Sequence, residues 1–525
     1  MKQAPGPPII PYLTPTYRHS KELPETMVRE SRADLEAAKE RKNRESLLET
    51  LESIVVAFIL AFIFRAFIVE AFVIPTGSMA PTLYGAHYEF HCPSCGYDFA
   101  AGEDVMMRSR PGNQYMPSWA CPNCFYPSTL AASDHSYSGD RILVLKFLYE
   151  FQPPQRWDVF VFRNPNEPSQ NYIKRLAGLP GEKLEIHHGD VTINGRIVQK
   201  TDKAQEALWM IVHDTRYVPH YPAWRPRWTR DAGWQEDKGG KGFRLDKADA
   251  KTAWLTYEHR VLLGKVDNEM SEKPSNILDF YAYNSAGVMR AESNVVTDLC
   301  LRGKVKAESP AAGVTIELSA YKDRFRFDLP AKGAGRPARV LHNGTPVEEV
   351  PDGVLPVGRA VEVLAANVDH KLMLWIDGRR VAKGLTPDLT PEGDPIYEPT
   401  PITTMERITF DEQVGKPSVV RLGAAGGPVT VEYLRLDRDV FYTNQCGGDP
   451  ANGTEGSPIQ LAEGEYFALG DNSPNSSDSR FWHLKRPVVP EKNLVGKAFF
   501  VYWPSAGMRY WIPVAPDATG WRFVH

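Results

Sequence analysis

Residues 74–83 read IPTGSMAPTL, and they follow directly on a long apolar run, LESIVVAFILAFIFRAFIVEAFVIP, that starts at Leu51. A small serine beside a glycine therefore stands where a hydrophobic segment ends. Two structures place such a residue there: a loop at a membrane surface, or a nucleophile held next to a bilayer.

The apolar run sets the architecture. A membrane helix needs about 20 predominantly apolar residues. Ser53 to Phe64 is clean, and the stretch 53–74 reaches that length if Arg65 and Glu70 snorkel at an interface. A cleaved signal peptide or a buried helix are the alternatives, but the run starts late for a secretory signal and no small-x-small site follows it. Arg29, Arg32, Lys39, Arg41, Lys42 and Arg44 precede it, and no Lys or Arg follows until Arg108. The positive-inside rule then places the N-terminus in the cytoplasm and all later residues outside. The expectation is a single-pass protein of the cell inner (cytoplasmic) membrane: cytoplasmic tail and helix over 1–46, anchor over 47–74, body extracytoplasmic, with membrane lipid as one partner.

The 525 residues carry a net charge of -4, which argues against a nucleic-acid partner. The 26 N-terminal residues are proline-rich and read as an unfolded tail. Beyond the anchor, short runs such as RILVLKF and WDVFVF read as strands, and ING and DG signal hairpins. From about residue 205 the texture changes. GVTIELSAYKDRFRFDLP, RAVEVLAANVDHKLMLWIDGRRV and GPVTVEYLRLDRDVFYT alternate with period two between turns, as a β-sandwich does. The fold class is thus mainly β. A first β domain over 75–204 and 446–525 is interrupted by a cysteine-bearing stretch, 88–130, and by a sandwich, 205–445.

A serine hydroxyl needs a base, and none of the thirteen histidines sits in triad-like text. A lysine serves if burial keeps it neutral near pH 7. Lys174, in NYIKRLAGLPG with Ile173 and Leu176 beside it, is the candidate; the bland alternative is a surface lysine next to a surface arginine.

Four blocks, in order after the membrane run, resemble bacterial type I signal peptidases: PTGSMAPTL, SGDRILVLKF, RWDVFVFRNP with YIKRLAGLPGE, and LGDNSPNSSDSRFW. The resemblance implies a membrane-anchored serine endopeptidase that removes signal peptides from exported preproteins, with no cofactor for catalysis. It makes Ser78 the acylated nucleophile and Lys174 its general base. Thr76 and the Ser78 backbone N–H become the oxyanion donors. Ser476 orients the lysine, Asp478 and Arg480 form a supporting ion pair, and Tyr172 and Met79 line the substrate cleft, Met79 being equally suited to packing. The last block departs from the family: Ser473-Pro474 stand where Arg-Asp is usual, and His483 where glycine is.

Cys92, Cys95, Cys121 and Cys124 form CPSC and CPNC knuckles. This spacing suits a structural zinc ribbon, with two disulfides as the alternative on an oxidising side of the membrane. The long insert, above all NVDHKLMLWIDGRRV, resembles laminin-G or concanavalin-like sandwiches, which bind glycans or proteins in some families and are inert in others. Asp369 and Asp377 read as turn residues rather than calcium ligands, and Cys300 and Cys446 as a candidate bridge. Two rival functions remain: a non-catalytic relative that binds envelope material through the sandwich, and a soluble-type Ser-Lys protease that cleaves itself. The intact Ser78, Lys174 and Ser476 oppose the first, and the membrane run opposes the second.

Overall fold

The computed structural model describes residues 25–103, 118–129, 136–246, 251–266, 269–284, 294–320, 323–382, 384, 418–446, 449–503, 508–509, 512–513 and 521–525. The proline-rich tail lies outside them. The chain divides into two units, residues 1–68 and 69–525.

The first unit is one helix, Glu25–Phe67. Its polar first half is rich in Glu, Lys, Arg and Ala, good helix formers with no Pro or Gly among them. Its second half exposes Ile54, Val55, Phe58, Ile59, Leu60, Phe62 and Ile63, apolar on every side. A helix hydrophobic all round has a buried or a membrane environment, and Ala37–Ile63 is long and apolar enough to cross a membrane. The helix ends at Phe67, short of the expected Ile74. Val69–Val73 is instead a strand, in antiparallel register with Arg141–Leu145, so that Glu70 lies opposite Val144 and pairs with Lys146 at 3.2 Å. Val69, Phe72 and Val73, β-branched or aromatic, suit a sheet edge better than a further helical turn.

The second unit begins with that strand. Its first sheet runs, in spatial order, Val69–Val73, Arg141–Leu145, Leu494–Trp503, Val159–Arg163, Asn171–Gly178, Glu465–Leu469 and Val489–Pro490. Neighbours are antiparallel. Asn171–Gly178 is central, and its last five residues are buried whichever face they point to.

The insert is a two-sheet sandwich. One sheet carries Leu299–Ala307, Val361–Val368, Lys371–Ile376 and Val429–Arg438; the other carries Gly313–Ala320, Asp323–Pro330, Ala338–His342 and Val420–Ala425. Leu301, Val305, Val363 and Leu434 from the first meet Ile316, Leu318, Phe327 and Leu422 from the second in one core. Each such side chain contributes about 1.5–3 kcal/mol by leaving water. Asp377 and Gly378 take φ of 47° and 72° in the hairpin turn between Lys371–Ile376 and Arg379–Arg380, as an Asp-Gly turn of primed type requires. The sandwich starts at Met210–Asp214, which pairs with Val429–Arg438. Cys300 is a buried free thiol, and the side chain of Cys446, its candidate bridge partner, lies outside the described residues.

The cysteine stretch is two small hairpins, His87–His91 with Asp98–Gly102 and Ser118–Ala120 with Pro127–Thr129. It does not stand apart from the sandwich insert, as two independent modules would. Phe90, Trp119 and the four cysteines share a core with Tyr221 and Ala282. The Asn123 amide spans the junction, accepting from Asp214 N–H at 2.7 Å and donating to Tyr217 O at 2.9 Å.

Candidate active site

Three chain segments meet at Ser78. The first is a single 3₁₀ turn, Gly77–Met79, that follows Val69–Val73. The second is the central strand Asn171–Gly178. The third is the loop after Glu465–Leu469. Gly470 lets them close up, because a Cβ there would lie 2.0 Å from Ser476 Oγ and 2.6 Å from Ser78 O.

Lys174 Nζ lies 2.7 Å from Ser78 Oγ. Both residues are buried, the lysine to 4% exposure. Removal from water disfavours the ammonium ion and lowers the Lys174 pKa to about 8, against the opposing pull of Asp478 and Asp471. The amine stands 5.5 Å from the Tyr172 ring centroid.

Asp478 and Arg480 form a fully buried fork, with 2.9 Å from Nε to Oδ1 and 2.7 Å from Nη2 to Oδ2. Asp478 Oδ2 also accepts from Gly470 N–H at 2.8 Å. The departure at Ser473 is used here: its hydroxyl accepts from Arg480 Nη1 at 2.8 Å and its carbonyl from Nη2 at 2.9 Å. Ser476 is buried beside Gly470, but its Oγ has no hydrogen-bond partner, so the expected bond to Lys174 is not made. Thr76 is exposed ahead of the turn and makes no capping bond. Met79 is fully buried and packs with Ile74, Leu83 and Val144.

Sequence reasoning missed four residues. Arg175, the suspected surface arginine, is fully buried and grips Asp471 with two bonds of 2.7 Å. Asp471 also accepts from Thr82 Oγ1 at 2.5 Å. Asn472 donates its backbone N–H to Ser78 O at 3.0 Å and its side-chain amide to Gly77 O at 2.8 Å. Asn284, from the long insert, meets Asn472. Nothing local marked Arg175, whose neighbour Lys174 points to the opposite face by strand alternation. Nothing local marked Asn284.

Cys92 Sγ lies 3.7 Å from Cys124 Sγ, and Cys95 Sγ 3.6 Å from Cys121 Sγ. All four sulfurs fall within 4.8 Å of one another. The four are free thiols, not two disulfides. Four Zn–S bonds of about 2.3 Å in a tetrahedron put sulfurs roughly 3.8 Å apart, so the cluster fits such an ion. The knuckles are alike: Gly96 N–H bonds to Cys92 O and Phe125 N–H to Cys121 O, both at 2.8 Å, with φ of 74° and 60°.

The fold and the site together bring a buried serine hydroxyl against a buried amine on an antiparallel sheet. The family model "Signal peptidase, peptidase S26" matches residues 47–94, 125–223 and 421–503. The match falls in three pieces and breaks within the cysteine hairpins and across most of the sandwich. Similar curated proteins are signal peptidase I of Rickettsia bellii, 23% identical over 34% of this chain and 50% of the relative, and signal peptidase I of Buchnera aphidicola, 29% identical over 30% and 38%. The chain spans half or less of the length of these relatives. Among solved structures, Crh5 transglycosylase in complex with NAG aligns with 47% of this chain and 85% of its own, at 13% identity and a TM-score of 0.24.

Proposed function

We propose that the protein is a membrane-anchored signal peptidase that cuts preproteins through a Ser78–Lys174 dyad. The observation that carries this reading is the buried 2.7 Å contact between Ser78 Oγ and an amine whose pKa is lowered to about 8. Neutral Lys174 takes the hydroxyl proton as Ser78 Oγ attacks the scissile carbonyl carbon. The resulting oxyanion accepts from the Ser78 N–H and the Thr76 hydroxyl. Such donors are each worth roughly 3 kcal/mol. The Lys174 ammonium then protonates the departing amine, leaving an acyl-serine. Lys174, neutral again, removes a proton from water; the hydroxide adds to the ester, and Ser78 leaves with the proton.

The stretch Ala37–Ile63 of the helix Glu25–Phe67 is the membrane span, with the basic end of the helix in the cytoplasm and the span in the inner membrane. A substrate whose signal segment lies in the same bilayer meets a serine a short stretch of chain beyond that span. The four cysteines would hold a zinc ion that joins the two hairpins and supplies no step of the reaction. The sandwich is a candidate surface for a glycan or protein ligand.

The test is cleavage of a preprotein with an Ala-x-Ala site by detergent-purified wild type, Ser78→Ala and Lys174→Ala. Cutting by the wild type alone supports the dyad. No cutting by any of the three sinks it and favours a binding role for the sandwich.

A further inference from the structure

The sandwich insert interrupts the signal peptidase match, yet one short piece of it reaches the nucleophile. The 3₁₀ turn Ala282–Asn284 lies against the Ser78 turn. Tyr283 is fully buried and packs so closely on Gly77 that a Cβ there would sit 2.0 Å from the tyrosine ring. The ring also stacks on Tyr84 at 5.8 Å and on Tyr281 at 5.9 Å. Next to it, the Asn284 and Asn472 amides pair reciprocally. Asn284 Nδ2 donates to Asn472 Oδ1 at 2.5 Å, and Asn472 Nδ2 donates to Asn284 Oδ1 at 2.7 Å.

The second hydrogen of Asn472 Nδ2 goes to Gly77 O, 2.8 Å away. That carbonyl belongs to the same peptide unit as the Ser78 N–H. A trans peptide is planar, with C=O and N–H pointing in opposite directions. Whatever fixes Gly77 O therefore aims the Ser78 N–H. Asn472 N–H holds the next carbonyl, Ser78 O, at 3.0 Å, so the peptide units on both sides of the Ser78 α-carbon are pinned from one residue. The amide pair in turn fixes which way Asn472 faces: if its amide turned over, two oxygens would face each other and two NH₂ groups would meet.

We propose that Asn284 is a positioning residue for peptide cleavage: the insert, through Asn284 and then Asn472, aims the Ser78 backbone N–H at the developing oxyanion. The insert is on this account part of the catalytic architecture and not an appended module. The inference rests on the dyad reading above. Asn284 touches neither Ser78 nor Lys174 in the hydrogen-bond network, so it acts only through Asn472.

The test uses the full-length protein in detergent with the same preprotein, comparing wild type, Asn284→Ala, Asn284→Asp, Asn472→Ala and the Asn284→Ala/Asn472→Ala pair. Asn284→Asp keeps the volume but sets an acceptor against Asn472 Oδ1, so it carries the test if Asn284→Ala melts. The expected result is a kcat lowered about tenfold in both Asn284 variants, less than the roughly hundredfold loss on deleting an oxyanion donor outright. KM stays within about twofold, because the bond is needed in the transition state and not in substrate binding. Asn284→Ala adds nothing further in the Asn472→Ala background, since the two act in series. Wild-type kcat in both Asn284 variants overturns the proposal. So does a loss confined to KM, or an undiminished loss on top of Asn472→Ala. Failure of the wild type to cut is a separate outcome and overturns the functional reading together with this inference.

Discussion

Lys174 Nζ and Ser78 Oγ stand 2.7 Å apart in a site where the lysine is 4% exposed. They are far apart in sequence, on a 3₁₀ turn and on the central strand of the sheet. On the proposed reading their meeting makes a weak nucleophile and an ordinarily charged base mutually useful, because the dry environment that favours the neutral amine also sets the hydroxyl within hydrogen-bond reach of it.

The pH dependence follows. Only neutral Lys174 accepts the Ser78 proton, and its pKa is lowered to about 8. At pH 7 about a tenth of the molecules are competent, and kcat/KM rises about tenfold per unit up to pH 8 before levelling. A pH–rate profile with its acid limb near pH 6 would identify a different base.

The same shift has a cost in stability, and its sign is fixed. The folded-state pKa lies below the usual 10.5, so the unfolded chain binds more protons between pH 8 and 10.5. Stability rises with pH across that window, and below it the buried ammonium costs up to about 3 kcal/mol. Lys174→Met is expected to be inactive yet to melt above the wild type at pH 7, with the difference shrinking toward pH 10.5. Calorimetry at both pH values checks this.

Ser476 Oγ is buried without a partner, beside the glycine that lets the site close. Removing an unpartnered buried hydroxyl frees a polar group that gains nothing from folding. Ser476→Ala is expected to leave the melting temperature unchanged or raised. If the hydroxyl takes a hydrogen bond from the Lys174 ammonium during turnover, kcat falls about tenfold at the same time. Unchanged kcat would remove Ser476 from the mechanism.

Arg175 and Asp471 are both fully buried and joined by two bonds of 2.7 Å. Asp471→Ala strands a guanidinium out of water and is expected to cost about 3–5 kcal/mol. Denaturant unfolding of that variant measures it. A loss below about 1 kcal/mol would mean that water reaches the pair.

The sulfur separations of 3.6 and 3.7 Å suit one zinc per chain. Elemental analysis of protein purified without added metal should find one equivalent, and Cys121→Ser should lower the melting temperature. Because the hairpin core includes Ala282, next to Tyr283 and Asn284, strong chelation should also lower kcat. Mass spectrometry that found two disulfides instead would overturn the zinc reading.

The sequence by itself determined the elements whose causes are local. The all-round apolar segment can only be a span or a core helix, and the period-two runs that begin at 313, 359 and 427 hold the strands their alternation demands. The two knuckles and the Asp377-Gly378 turn follow from spacing and from backbone conformations open to few residues. Ser78 and Lys174 were candidates from their own surroundings, and the resemblance of their boxes turned them into a pair. Where helix gives way to strand was decided by pairing: Val69–Val73 is apolar enough for a membrane, but Arg141–Leu145 offers it hydrogen bonds.

What only the tertiary structure decided is who lies next to whom across long loops. KR in YIKRLAG gives no sign that Arg175 turns inward to Asp471, nor NSAG that Asn284 turns onto Asn472, because each depends on a partner in a distant segment. Burial is likewise a property of the assembled sheet. Lys174 is charged near neutral pH in any short peptide, and its pKa falls to about 8 only because the assembled fold removes it from the water that would keep it charged.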